Sequence, residues 1–362
     1  MSELNVTNVK KAISAKTIPF VGVDLQSAGI SVESEQDNAR PRVLVKLGFP
    51  VADIRTELAE FISGVIGSDL GVTGVNVEVS WRVRAHAVQG TLTPLPGIKN
   101  IIAVASGKGG VGKSTLSINL ALALSRQGAR VGVLDADIYG PSQPKMLGLD
   151  GQQPVSKDGK SFEPLEAHGL QANSVGFLVD EETPVIWRGP MVTQALNQLV
   201  FTTRWRELDY LIVDMPPGTG DTQLTLTQQV PLSGAVIVTT PQDIALLDAR
   251  RGLKMFEKVN VRVLGIVENM SVHICTACGH EEALFGTGGG QRLSDESAVP
   301  LLGQLPLDAR IQREADSGAP TVISDPDGPL AARFLDIARA TAARLASAPR
   351  DRKGAFGKIV VE

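Results

Sequence analysis

The sequence contains few of the residues that stabilise secreted folds or hold a protein in a membrane. Its 362 residues include only two cysteines, Cys275 and Cys278, which excludes a disulfide framework. No uninterrupted apolar run reaches the roughly 18 residues that a membrane span needs. The first residues, MSELNVTNVKKAISAK, lack the basic region and apolar core of a secretory signal. These absences predict a cytoplasmic protein that has no membrane partner.

The sequence also has no excess of basic over acidic residues. The chain has 35 Lys and Arg residues against 39 Asp and Glu residues, for a net charge of -4. A surface without a strong basic field argues against nucleic acid and anionic lipid as partners. The 43% of apolar and 20% of charged residues are typical of a globular protein. We therefore expect a globular protein that binds no nucleic acid.

Six short apolar runs after residue 100 predict the strands of one sheet. They cover residues 101–106, 130–137, 210–216, 234–241, 263–270 and 301–306. Because each run is almost continuously apolar, the strands should be buried on both faces. Helical patterns such as STLSINLALALSRQG separate several of them. We therefore predict an α/β fold, with a mostly parallel sheet and helices on both of its faces.

The first 90 residues have a different pattern. Helical segments near residues 4–14 and 51–67 alternate with predicted strands at 42–49 and 75–81. This alternation predicts a small α+β domain over residues 1–90. The Pro-containing stretch after it predicts a linker at 91–98, followed by a main domain at 99–350 and a tail at 351–362.

The segment GKGGVGKS, residues 107–114, lies between a predicted strand and a predicted helix and fits the phosphate-loop pattern G-x-x-x-x-G-K-S/T. In such a loop, backbone N–H groups surround phosphate oxygens and the helix N-terminus adds positive potential. The residues expected to form the loop are Gly107, Gly109, Gly110, Val111 and Gly112. Lys113 should reach the terminal phosphates, and the Ser114 hydroxyl should bind Mg²⁺. The segment predicts a nucleotide site.

Aspartates that end two neighbouring strands could complete this site. Asp214 ends the run YLIVD and is expected to help hold Mg²⁺. Asp135 and Asp137 lie two positions apart, on the same side of an extended chain. Both are candidates for orienting an attacking water, and Asp137, which lies farther along the chain, is preferred.

A second lysine, Lys108, lies at the tip of the same loop. The segment KGGVGKST resembles the deviant Walker A loop of the MinD, ParA and nitrogenase iron protein class of ATPases. In that class the extra lysine crosses a dimer interface to the partner's nucleotide, as an arginine finger does. The resemblance therefore implies a homodimer that encloses nucleotide, with Lys108 acting in trans.

The only two cysteines form a C-x-x-C pair, for which three interpretations are open. A redox dithiol usually opens a helix, whereas Gly279 and a Gly-rich stretch follow this pair. A zinc site would need His273 and His280 to fold back onto the two thiolates. Alternatively, two thiolates are half of the four that an iron–sulfur cluster takes, and a dimer would supply the other half across its two-fold axis.

Longer motifs extend the resemblance from about residue 99 to about residue 330. They are WRGPMVTQALNQL, DYLIVDMPPGTGDTQLTL, GIVENMS, CTACGH, FGTGGG and GQLPLDARI. In this order they resemble the Mrp/ApbC family of iron–sulfur cluster carrier ATPases. The resemblance implies a dimer that uses ATP and Mg²⁺, receives a 4Fe–4S cluster on Cys275 and Cys278 from an upstream scaffold, and passes it to apo-proteins.

The same resemblance assigns further positions. Asn269 corresponds to a residue that hydrogen-bonds adenine, Pro306 begins a segment that lines the base, and Thr115 lies beside the α-phosphate. Arg188 falls in a switch-like loop. Residues 1–90 resemble a domain that precedes the ATPase in many members, although they contain no cysteine; docking of other proteins is the expected role.

Two other functions use a similar loop. A positioning ATPase of the ParA or MinD type would need a basic or amphipathic surface, for which the arginine-rich C-terminal helix is the candidate. Apolar residues at helical spacing more often pack on a core.

An electron-transfer protein like the nitrogenase iron protein would draw its thiolates from two well-separated cysteines. Neither alternative accounts for a close C-x-x-C pair.

Overall fold

The computed structural model describes residues 6–14, 16–18, 21, 24–25, 30–37, 40–90, 92–178, 189–275 and 277–349. Arg188 and the predicted tail at 351–362 lie outside these residues. The strands are β1 Ser31–Asp37, β2 Arg40–Leu47, β3 Asn76–Trp81, β4 Ile98–Ser106, β5 Val131–Asp135, β6 Leu165–Ala167, β7 Leu170–Ser174, β8 Leu208–Asp214, β9 Gly234–Thr239, β10 Val263–Glu268, β11 His273–Ile274, β12 Glu281–Glu282 and β13 Leu301–Gln304. The α-helices are α1 Val6–Ser14, α2 Arg55–Leu70, α3 Lys113–Arg126, α4 Gln143–Met146, α5 Gly189–Thr202, α6 Asp221–Gln229, α7 Asp243–Lys258, α8 Gly289–Ser297, α9 Ala309–Asp316, α10 Thr321–Ser324 and α11 Pro329–Ala346.

Within the described residues, eight strands form the large sheet, in the order β13-β10-β9-β4-β8-β5-β7-β6. Every neighbouring pair is parallel except β6 and β7, which are antiparallel at one edge. All six predicted strands are present, and the prediction of a mostly parallel α/β sheet is confirmed. The β6–β7 hairpin was not predicted, because its short strands carry too few apolar residues to stand out.

Helices cover both faces of the sheet because successive residues of each strand point to opposite sides. In β4, Ile102 and Val104 pack in a cluster with α3 and α11, whereas Ala103 and Ala105 pack in a second cluster with α5 and α7. The carboxyl ends of the parallel strands share one edge, so polar residues that end β4, β5 and β8 are brought together there. This edge holds the candidate site.

The N-terminal unit has a sheet of its own, in the order β1-β2-β3, with β1 antiparallel and β3 parallel to β2. The predicted strands at 42–49 and 75–81 correspond to β2 and β3, but β1 was missed because the run SVESEQD is mostly polar. The buried residues of this unit and those of the α3 and α11 face form one continuous apolar cluster. The predicted boundary at residue 90 stays a prediction.

Polar contacts add to this shared core. Trp81 Nε1 donates to the Gly128 carbonyl at 3.4 Å, and the Ala52 N–H donates to the Gln127 carbonyl at 2.9 Å. Arg339 of α11 is only 4% exposed and pairs with Asp53 at 2.6 Å. A buried guanidinium is stable only where a carboxylate compensates its charge, so this ion pair joins the two units.

The C-terminal helix α11 packs its apolar residues, including Phe334 and Ile337, against the core. This confirms the more ordinary of the two interpretations of that helix. No helix among the described residues combines the length and the apolar character needed to cross a bilayer.

Replacing Asp53 with alanine should lower the free energy of unfolding by about 3 kcal/mol, because it removes one partner of a buried ion pair. This loss is at the lower end of the usual range for a broken buried ion pair, since Arg339 would keep its second carboxylate partner, Asp336, whose Oδ1 lies 2.7 Å from Arg339 Nη1. Urea unfolding measures the change. Asp327→Ala is the control: Asp327 is 90% exposed, and its pair with Arg126 should contribute less than about 1 kcal/mol. Equal effects of the two substitutions would contradict the coupling of the units through Arg339.

Candidate functional site

The phosphate loop connects β4 to α3, as the sequence predicts. Its backbone turns sharply at Gly110 and Gly112, whose φ angles are 80° and 85°. At Gly112 a side chain would also collide with the Asn269 amide, and at Gly107 it would collide with the backbone of Asp248. Glycine is therefore required at the start and the end of the loop. Gly109 and Gly110 are exposed at its tip, whereas Val111 is buried and anchors it.

Lys113, the first residue of α3, is 6% exposed and lies among acidic groups. Its Nζ donates to Asp214 Oδ1 at 2.6 Å and to Ser114 Oγ at 3.2 Å, and it lies 3.8 Å from Asp137 Oδ2. One ammonium group thus contacts a hydroxyl and a carboxylate, the two donor types that Mg²⁺ takes in phosphate-loop proteins. The residues present therefore fit a divalent cation held by Ser114 and Asp214.

Asp214 is fully buried at the end of β8. Besides the Lys113 contact, Oδ1 accepts from Ser117 Oγ at 2.9 Å and Oδ2 accepts from Gln143 Nε2 at 2.9 Å. Strand register places Asp135 directly beside it. Burial and the charge of Asp214 raise the pKa of Asp135 to about 7.

Asp135 holds the loop that follows β5. Its Oδ1 accepts from the Asp137 N–H at 3.1 Å, and its Oδ2 accepts from the Ser142 and Gln143 N–H groups at 2.9 and 3.0 Å. Ser174 Oγ adds a fourth bond at 3.2 Å. With both oxygens engaged, Asp135 positions the loop, and its catalytic role stays a prediction. Asp137 is 9% exposed, and burial raises its pKa above the ordinary value.

Lys108 is half-buried near the loop tip, where its Nζ lies 3.4 Å from Gln242 Oε1, at the start of α7. Two residues of the first turns of α7, Ile244 and Leu247, are 70% and 53% exposed. An exposed apolar surface beside a cation on the phosphate loop is consistent with contact to another chain. The trans role of Lys108 stays a prediction.

The residues assigned to the base lie in the segments that follow β10 and β13. Asn269 Nδ2 donates to the Val111 carbonyl at 2.9 Å, and Asn269 Oδ1 accepts from the Met270 N–H. Pro306 is buried in the segment after β13. Asp308 caps α9 by accepting from the Arg310 N–H at 2.8 Å, and the Arg310 side chain lowers the pKa of Asp308. Thr115 is half-buried in the first turn of α3.

The thiol pair lies on the hairpin of β11 and β12. The Cys275 N–H donates to the His280 carbonyl at 2.9 Å, and the Gly279 N–H donates to the Cys275 carbonyl at 2.8 Å. This turn directs the backbone N–H groups of Cys278 and Ala277 at the Cys275 sulfur, and together with the Cys278 thiol they lower the pKa of Cys275. Cys275 is half-buried and Cys278 is exposed. Such a turn favours a thiolate, which is the form that binds metals.

At this hairpin each chain supplies two thiols as metal ligands. Within the described ranges, no group of three or more His, Cys, Asp or Glu side chains is arranged to hold a metal ion. His273 and His280 therefore do not complete the single-chain zinc site considered above. Because Cys278 lies at the surface, ligands from a second molecule could reach the pair.

Backbone hydrogen bonds connect this hairpin to the nucleotide side of the site. The segment that leads to it starts at Asn269, directly after β10, and Asn269 contacts Val111. Ser271 donates to the Leu305 carbonyl through its N–H and its hydroxyl, both at 3.0 Å, and the Leu307 N–H donates to the Val272 carbonyl at 2.8 Å. The predicted base site and the thiol pair therefore belong to one hydrogen-bonded segment.

Sequence reasoning missed two buried residues of the site. Gln143 contacts Asp214 and the Ser114 carbonyl, and Ser117 contacts Asp214. Ser117 lies one helical turn after Lys113, a spacing that could have revealed it. Gln143 has no such periodic signal, because the loop after β5 brings it back to the strand ends.

Comparison with known proteins identifies the family. Residues 97–342 match the family model described as ParA: NUBPL iron-transfer P-loop NTPase. The chain belongs to this family. The predicted family resemblance and the P-loop fold are thereby confirmed.

A Haemophilus influenzae relative named iron–sulfur cluster carrier protein is 60% identical over 337 residues, which cover 93% of this chain and 91% of the relative. An Escherichia coli K12 relative of the same name is 58% identical over 289 residues, 80% of this chain and 78% of its own.

Two solved structures have a similar fold. A nucleotide-binding protein from Archaeoglobus fulgidus in complex with ADP has a TM-score of 0.55 at 37% identity, and the match covers 61% of this chain and 87% of that protein. The MinD cell division ATPase of Pyrococcus furiosus has a TM-score of 0.51 at 22% identity, over 67% of this chain and 97% of its own, and it supports the fold alone.

The lowered pKa of Cys275 can be tested by alkylation. In the Cys278→Ser variant Cys275 is the only thiol, and the backbone N–H groups that stabilise its thiolate remain. The rate of reaction with iodoacetamide should therefore reach half of its maximum at a lower pH in the folded variant than in the same variant unfolded in urea. Equal midpoints would show that the turn does not stabilise the thiolate.

Proposed function

We propose that this chain binds and hydrolyses ATP in the cytoplasm, and that two copies together carry a 4Fe–4S cluster that they pass to apo iron–sulfur proteins. The observation that carries the proposal is the hydrogen-bonded segment from Asn269 to Cys275, which contacts the phosphate loop at one end and bears the thiol pair at the other. The names of the relatives support the same function.

Nucleotide binding starts with an exchange of partners at Lys113. Phosphate oxygens compete with Asp214 for the ammonium group, because each offers negative charge within its reach. As Lys113 turns to the phosphates, the Asp214 carboxylate and the Ser114 hydroxyl become free to hold Mg²⁺. The cation, when bound, neutralises charge on the phosphates. Thr115 and the backbone of residues 107–112 complete the phosphate site.

Hydrolysis requires an oriented water and compensation of the charge that develops on the phosphates. Asp137 lies at the start of the loop after β5, 3.8 Å from Lys113 Nζ, and burial raises its pKa, which is the direction that makes a carboxylate a better proton acceptor. Lys108 of each subunit supplies charge to the nucleotide of the other. Its position beside the exposed Ile244 and Leu247 supports a dimer that forms on this face.

Cluster binding follows from the number of thiols. Each chain brings Cys275 and Cys278, and two chains related by a two-fold axis bring four, the number that a 4Fe–4S cluster takes. A cluster bound at the surface between subunits is easier to release than one enclosed in a single core. The cluster is therefore cargo, received from an upstream scaffold and given to clients.

Coupling between the two events uses the segment already described. Adenine would draw the Asn269 amide away from the Val111 carbonyl, and the short segment that follows Asn269 leads directly to Cys275. A change of nucleotide thus changes the position of the thiols, and with it the stability of the bridged cluster.

The test is reconstitution without oxygen, followed by measurement of iron, acid-labile sulfide and mass in solution. About four iron and four sulfide per dimer are expected. A metal-free dimer that still hydrolyses ATP would contradict the carrier function and would favour a positioning ATPase instead.

Removing one thiol should separate the two activities. Cys275→Ala and Cys278→Ala each leave two of four ligands in the dimer, so stable cluster binding should be lost while ATP binding is kept. Iron content and nucleotide titration measure the two effects. Retention of a full cluster by either variant would contradict the bridging arrangement.

Lys108→Ala should slow hydrolysis by at least about a hundredfold, because an in-trans cation acts mainly on the transition state. Nucleotide affinity should stay nearly constant, since Lys113 and the loop backbone are unchanged. Lys254→Ala, at an exposed lysine of α7, is the control and should alter neither. Equal losses of rate and affinity on Lys108→Ala would make Lys108 an ordinary phosphate ligand.

A further inference from the structure

Gln143 occupies the position where three parts of the nucleotide site meet. It is 1% exposed, and its Nε2 donates to Asp214 Oδ2 at 2.9 Å and to the Ser114 carbonyl at 3.2 Å. Its backbone N–H donates to Asp135 Oδ2 at 3.0 Å. One side chain therefore connects the end of β8 to the first turn of α3, and its backbone ties both to the loop after β5.

The partners of Gln143 determine the orientation of its amide. Asp214 Oδ2 and the Ser114 carbonyl are both acceptors, so the NH₂ group must face them and the oxygen must face away. The Oε1 atom is buried and has no hydrogen-bond partner among the described residues. Leaving a buried acceptor unpaired costs about 1–3 kcal/mol. A water molecule or an ion can satisfy such a group in a native site.

A second unpaired group adjoins the first. Ser142 Oγ is also buried, and no described residue forms a hydrogen bond with it. Its backbone N–H and that of Gln143 both bind Asp135, so the same short segment presents both oxygens. Oxygen acceptors can form hydrogen bonds with the water molecules that a hard divalent cation retains.

We propose that Gln143 is a positioning residue for the divalent cation of the nucleotide site. Its Nε2 holds the Asp214 carboxylate in place after Lys113 has turned to the phosphates, and its Oε1 accepts a hydrogen bond from the hydration shell of the cation. This inference rests on the proposed function, because the cation arrives there with the nucleotide. Through Gln143, the loop that carries Asp137 senses whether the cation is present.

The test measures metal affinity apart from nucleotide affinity, with Mn²⁺ as the probe. Gln143→Met keeps the length of the side chain and removes both polar atoms. Free Mn²⁺ is followed by its electron paramagnetic resonance signal during titration of the protein–ADP complex. We expect Mn²⁺ affinity to fall by about 10- to 100-fold, the usual effect of losing a group that orients metal ligands. ADP affinity in EDTA should stay within about threefold, because the loop backbone and Lys113 are intact.

Gln127 offers a closely matched control. It is also a fully buried glutamine, and its Nε2 donates to the Leu335 carbonyl at 2.8 Å and to Asp53 at 3.5 Å. Its Oε1 has no hydrogen-bond partner in the part of the chain that the structure describes. It lies at the other end of α3, so Gln127→Met should lower stability without changing Mn²⁺ affinity. If Gln143→Met does not fold, Gln143→Asn replaces it. Its amide is too short to reach Asp214 and Ser114 together, and the same loss of Mn²⁺ affinity is expected.

Two results would overturn the proposal: unchanged Mn²⁺ affinity in the Gln143 variant, or equal losses in the Gln143 and Gln127 variants. The proposal would also be overturned if wild-type protein bound ADP but the protein–ADP complex bound Mn²⁺ no more tightly than free ADP does. None of these results affects the cluster content of the dimer, so they leave the carrier function standing. Failure of the wild-type protein to bind ADP at all would instead contradict the proposed function itself.

Discussion

The buried contact between Lys113 and Asp214 organises the rest of the site. Three acidic groups end or follow neighbouring strands of one sheet, and without a cation among them their mutual repulsion would be severe in so dry a place. Lys113 supplies that cation. The phosphate loop is thereby tied to the strand ends that carry the carboxylates.

Several neighbours hold Asp214. Besides Lys113, Ser117 and Gln143 each donate a hydrogen bond to its carboxylate, and these bonds fix its orientation. Asp135 shows the opposite arrangement. Its oxygens accept hydrogen bonds from the backbone of the following loop and from Ser174, whereas Asp137 lies beside Lys113. Two aspartates separated by a single residue thus have different surroundings, set by the contacts that each one makes.

Much of the molecule could be predicted from its sequence, for identifiable reasons. Parallel strands buried on both faces leave continuous apolar runs, and the phosphate loop needs glycines at fixed positions, so β4, β5, β8, β9, β10 and residues 107–114 were readily recognised. The strand β1 and the β6–β7 hairpin were not, because polar or very short strands have no clear periodicity. Gln143 was missed because its role comes from a loop that returns to the strand ends. The packing of the N-terminal unit against α3 and α11 was also beyond reach, since a surface patch and an interface have the same amino acid pattern.

The shared core of the two units bears on how the chain could be shortened in evolution. Trp81 covers Gly128, and Asp53 neutralises Arg339, so the face formed by α3 and α11 is not built to meet water. A descendant that lost the first 90 residues would have to exchange apolar side chains on those helices for polar ones at nearly the same time. Loss of the N-terminal unit is therefore a coordinated change, and shorter family members should carry its record in the composition of these two helices.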